Sequence, residues 1–134
     1  MIILYYPKCS TCKKALKFLK DNNINCIERD IAKDNPKKEE LKKWIKQSDK
    51  DIKKFFNTSG MKYRELNLKE KIKEMTDEEK INILSKDGML VKRPLLITDE
   101  KILIGFKEKE WKEIIWKNIK IRCFFHIYLK KTYI

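Results

Sequence analysis

Arginine is scarce in this chain. Of its 33 basic residues only Arg29, Arg64, Arg93 and Arg122 are arginines, and nowhere do five Lys or Arg stand in a row. A compact nucleic-acid-binding tract is therefore missing, and no direct DNA binding is expected. Histidine is reduced to His126 alone. Long apolar runs are missing too: no stretch of about eighteen apolar residues spans a bilayer, and the opening MIILYY lacks the charged lead of a secretory signal. No membrane association is expected, and a cytoplasmic protein is the simplest reading. Internal repeats and low-complexity linkers are also lacking, so the 134 residues read as one domain over 1–118 followed by a tail, 119–134.

What is present is lysine. The formal net charge is +13, which draws nucleic acid, anionic membrane or acidic partners over long range in a salt-dependent way; the simpler reading is a solvated lysine surface. Apolar residues make up 42% and charged residues 40%, a balance of a folding chain and not of a disordered one.

The β-branched and aromatic run Ile2–Tyr6, ended by Pro7, predicts a buried strand and a turn. Apolar residues Ala15, Leu16, Phe18 and Leu19 then recur at helical spacing from Ser10 or Thr11 until Asp21-Asn22-Asn23. A second strand is predicted over 24–29, with Cys26 and Ile27 on opposite faces. Strand, helix and strand within thirty residues make a βαβ unit. Asp34-Asn35-Pro36 predicts a helix start, and residues of about 34–88 read as a helical block, in which Thr76 and Glu79 form a capping box. Leu95–Thr98 and Ile102–Ile104 predict a hairpin, and Lys107 to about Ile119 a last amphipathic helix. The fold class is α/β. The tail, IKIRCFFHIYLKKTYI, is aromatic and basic, and its pattern assigns it no role.

Cys9 and Cys12 stand three apart between the first strand and the first helix. A tetrahedral metal site needs four ligands, and Cys26, Cys123 and His126 offer no second close pair, so no metal is expected. Core filling is the second reading, since free cysteine is often buried. The redox reading has a mechanism: free amides and the positive end of a helix stabilise a thiolate at Cys9, the flanking Lys8 and Lys13 add to that, and Cys12 lies one turn on, where it can resolve a mixed disulfide. A CxxC in the first turn of a βαβ unit favours this reading over the other two.

Three segments, YYPKCSTCKKALKFL, KKFFNTSGMKYRELNL and DGMLVKRPLLITDEKILIGFKEKEW, in this order and at this spacing, resemble the arsenate reductase (ArsC) and Spx/MgsR family over residues of about 2–116. The resemblance implies a thioredoxin-like (glutaredoxin-like) mixed sheet with a helical insertion after the second strand, and a cytosolic protein. It implies that Pro94 is cis and faces the CxxC. Cys9 corresponds to the nucleophile that in arsenate reductases forms the arsenate adduct, later resolved by glutathione and glutaredoxin, and Arg93 to an arginine that binds the oxyanion. Two further arginines of that site are replaced, by Asn57 and by Phe106 or Lys107, and neither Asn nor Phe reproduces a bidentate guanidinium. Cys12 departs from the glutathione-dependent reductases and matches the Spx/MgsR branch, where the CxxC is a disulfide switch and the partner is the C-terminal domain of the α chain of RNA polymerase. Two functions follow as expectations. One is an ArsC-type thiol-disulfide oxidoreductase using Cys9 and Cys12, with Arg93, Pro94, Lys13 and Asn57 toward the substrate, no bound cofactor, and glutathione/glutaredoxin or thioredoxin as reductant. The other is a redox-sensing regulator of transcription.

Overall fold

In a computed structural model, which describes residues 1–117, the elements follow in the order β1 (Ile2–Tyr5), α1 (Ser10–Asp21), β2 (Ile27–Asp30), α2 (Lys38–Ser48), α3 (Met61–Glu65), α4 (Leu68–Lys71), α5 (Asp77–Lys86), β3 (Leu95–Ile97), β4 (Ile102–Ile104) and α6 (residues 108–117). Single 3-10 turns at Ile52–Phe55, Ile72–Glu74 and Gly88–Leu90 join the helices of the middle block. The strands form one mixed sheet in the order β2-β1-β3-β4. β1 runs parallel to β2 and antiparallel to β3, and β3 pairs antiparallel with β4.

The register explains the two layers. Leu4 pairs with Leu95 and Leu95 with Ile104, while Ile3 pairs with Leu96 and Leu96 with Leu103. Because side chains alternate across a pleated sheet, the first set packs with the insertion's Leu41, Trp44, Phe55, Phe56, Leu84 and Val91. The second set packs with Ala15 and Leu19 of α1 and with Trp111 of α6. The α1 side thus joins the two ends of the described chain, and the other is built from residues of the insertion.

The strand, helix and hairpin assignments hold, with three differences of extent. β2 begins at Ile27, because the Ile24 amide still donates to Leu19 O at 2.9 Å and closes the exit from α1. Cys26 does face the second core while Ile27 is exposed. α2 begins at Lys38 and not at Asp34-Asn35-Pro36. Those residues serve Arg29, whose guanidinium donates to Asp34 O at 2.9 Å and Asn35 O at 3.1 Å and grips Glu40 at 2.6 Å, while the Asn35 side chain donates to Ser85 O on α5. Lastly, the middle block is not wholly helical: Phe56 bridges Val91 in antiparallel fashion. Thr76 caps α5 as expected, accepting from the Glu79 amide at 3.2 Å. The tail 119–134, with Cys123 and His126, lies outside the described residues.

Candidate active site

The site is built on the turn between β1 and α1. Pro7 stands second in a turn closed by the Cys9 amide donating to Tyr6 O at 3.0 Å, a position its fixed φ suits. Cys9 then serves as N-cap of α1, with extended φ and ψ of −88° and 120°. Its sulfur accepts from the Cys12 amide at 3.4 Å, doing what a Ser or Asp oxygen does in most caps. A thiolate is well placed there, against an unpaired helix amide and the positive end of the helix dipole.

Cys12 differs from Cys9 in almost every respect. It is fully buried, whereas Cys9 is half-buried. Its sulfur accepts from the Tyr6 amide at 3.5 Å. Both cysteines are free thiols. Partial burial works against ionising Cys9, but hydrogen bonds from the Cys12 amide and thiol and from Arg93, together with the charge of Arg93, outweigh it and hold the Cys9 thiol below its ordinary value. Burial pushes the Cys12 thiol up to about 12, helped by its neighbour Cys9 and offset only in part by the Tyr6 amide and Arg93.

Arg93 lies just before β3, the strand next to β1, at the same end of the sheet as Cys9. Its guanidinium carbon stands 4.9 Å over the centre of the Tyr6 ring, and its Nη1 donates to Met89 O at 3.5 Å. The buried Nε has no hydrogen-bond partner among the described residues. The Arg93–Pro94 bond is cis, as the sequence resemblance implies, and Pro94 O accepts from the Gly105 amide at 2.8 Å.

The remaining sequence candidates are less tightly gathered. Lys13 is exposed on the first turn of α1, and its side chain makes no ion pair or hydrogen bond among the described residues. The charge facing Cys9 belongs to Arg93, not to the flanking lysines. Asn57 is buried, 9% exposed, and its amide donates to Leu90 O at 2.8 Å in the short ladder that leads to Arg93. No hydrogen bond joins it to Cys9 or Arg93. Phe106 is committed to the α1 core, with ring centres 5.6 Å from Phe18 and 5.0 Å from Trp111, whereas Lys107 is exposed. Two contributors escape sequence reasoning: Tyr6, which supports Arg93 with its ring and Cys12 with its amide, and the carbonyl of Met89. An aromatic residue in IILYY reads as strand, and nothing in the string distinguishes its second role.

Among the described residues no cluster of His, Cys, Asp and Glu is fit to hold a metal, and no helix is long and apolar enough to cross a membrane. Burial pushes Cys26 up to about 11, apart from the site.

Comparison with known proteins agrees with this architecture. The uncharacterized protein YusI of Bacillus subtilis (strain 168) is 53% identical over 109 residues, which is 81% of this chain and 92% of that one. The regulatory protein MgsR of the same organism is 32% identical over 105 residues, or 78% and 82%. The crystal structure of an ArsC family related protein from Bacteroides fragilis superposes with a TM-score of 0.82 at 53% identity, covering 84% of this chain and 94% of that one. The fold is the α/β, thioredoxin-like fold of these neighbours. With the ArsC family profile matching residues 4–114, the chain belongs to the ArsC family.

Proposed function

We propose that the chain is a thiol-disulfide oxidoreductase in which Cys9 is the nucleophile and Cys12 the resolving thiol. The observation that carries this reading is the asymmetry of the pair. Cys9 is accessible and capped by a helix amide beside Arg93, while Cys12 is buried and held protonated. The Cys9 thiolate attacks one sulfur of a disulfide substrate; that S–S bond breaks, the departing thiolate takes a proton, and a mixed disulfide forms on Cys9. With the Cys9 charge gone, one cause of Cys12's reluctance to ionise is removed. Cys12 then loses its proton and attacks Cys9 Sγ, expelling the second substrate thiol. The substrate gains two electrons and the pair is oxidised to its disulfide. Glutathione with glutaredoxin, or thioredoxin, returns it to the dithiol, and the cytoplasm is the compartment that keeps such reductants.

Arg93 steadies the thiolate, and Pro94 fixes the backbone that carries it. Lys13 and Asn57 are secondary contacts for the substrate. Arsenate is the weaker substrate: a single arginine remains at the site, the Asn57 side chain offers no bidentate guanidinium, and Phe106 is packed in the core.

A second reading is favoured by the 32% identity to MgsR. In it the same two cysteines form a disulfide that reshapes a surface for a transcription partner, the C-terminal domain of the α chain of RNA polymerase. Turnover separates the two. Purified protein is supplied with a small neutral disulfide or arsenate and with each reductant, beside Cys9→Ser. Cys9-dependent reduction of the disulfide is expected. Reversible oxidation of Cys9 and Cys12 without turnover overturns the enzyme in favour of the switch.

A further inference from the structure

A basic groove lies at the same end of the sheet as Cys9. It encloses about 820 Å³ and is lined by Lys50, Lys53, Lys54, Lys92 and Lys107 over a floor that includes Phe56 and Ile104. None of these five lysines is ion-paired among the described residues. The groove's one acid, Asp51, is already engaged, its carboxylate accepting from the Lys53 amide at 2.9 Å. The chain has no further carboxylate side chain to offer from its tail, since 118–134 contains neither Asp nor Glu. Five lysines against one carboxylate leave the concavity with a positive field, which favours a ligand carrying negative charge.

The groove's position ties it to the thiol site. Lys92 precedes Arg93, and its stem lies over Gly105, with Cε 3.8 Å from where a Cβ there would stand. Gly105 in turn pairs with Pro94. β4 is separated from β1 by β3 alone, so the groove begins about 10 Å from the end of β1 that carries Cys9. We infer that this groove is the docking surface for an acidic polypeptide segment, which presents a disulfide of the same molecule to Cys9. The inference deepens the oxidoreductase reading by naming its substrate class, and it rests on that reading. Nucleic acid fits less well. The groove contains no arginine fork, and its one aromatic side chain, Phe56, is buried and offers no face for a base to stack on. The chemistry next door, moreover, acts on sulfur.

The test has a binding arm that needs no catalysis. A fluorescent glutamate-rich peptide without cysteine, its glutamine counterpart and a single-stranded oligonucleotide are titrated against the intact protein and the Lys50→Gln/Lys53→Gln/Lys54→Gln variant. The acidic peptide is expected to bind, to weaken about tenfold in the variant and to weaken again between about 50 mM and about 300 mM salt. In the kinetic arm, the same acidic sequence built around a disulfide is expected to show a lower KM than the neutral one. The variant should lose that advantage while reducing a small neutral disulfide at the wild-type rate. Equal binding of acidic and neutral peptides, acidic binding that survives the lysine substitutions, or tighter lysine-dependent binding of the oligonucleotide overturns the docking surface. Loss of all disulfide turnover with lysine-dependent peptide binding intact overturns the oxidoreductase reading instead, and leaves an acidic partner docked on a switch.

Discussion

The β1–α1 turn and the helical insertion hold opposite halves of the molecule by different means. At the turn, eight consecutive residues, Tyr6 to Lys13, supply the proline turn, the cap and both thiols through bonds no more than six residues apart. In the insertion the decisive contacts are remote: Asn35 reaches Ser85, and Phe55 and Asn57 form a ladder with Lys92 and Leu90. The turn carries both thiols, and the segment that follows the insertion brings Arg93 against Tyr6 beside them. A local device carries reactivity here, and a long-range scaffold carries its geometry.

That division is open to experiment. Phe55→Ala opens a cavity in the insertion core, where Phe55 is fully buried. A loss of about 3–5 kcal/mol is expected in urea unfolding, with the Cys9 alkylation rate of the folded fraction falling far less. Arg93→Gln should do the reverse. With its charge gone, the pH midpoint of Cys9 alkylation by iodoacetamide rises toward that of an ordinary thiol. In the wild type the rate climbs with pH and levels off below the ordinary thiol value, since a lowered pKa means the thiolate is already formed there. Thr76→Ala removes the cap of α5 and should cost about 1 kcal/mol of stability, with that midpoint unmoved.

The same contrast explains what the sequence disclosed. The strand, the turn and α1 are legible because their determinants are neighbours in the chain: an apolar run, a proline, a cysteine at the cap position and a 3.6-residue stripe. The capping box at Thr76 is legible for the same reason. The start of α2 is not, because Asp34 and Asn35 are drawn off by Arg29 and Ser85, partners that no local window contains. Arg93 entered the site through family resemblance, and its support by Tyr6 and Met89 became visible only once β1 and the segment before β3 lay side by side. Lys13, adjacent to the motif, proved exposed, while the groove lysines were hidden in a composition rich in lysine everywhere.

The most direct test of the central claim is to mix the Cys12→Ser protein with a disulfide substrate and locate the covalent adduct by peptide mass spectrometry. The account predicts a mixed disulfide that accumulates on Cys9 in this variant, is absent from Cys9→Ser, and does not persist in the wild type. An adduct on Cys12 in the wild type, or none on Cys9 when Cys12 is removed, would contradict the assignment of nucleophile and resolving thiol.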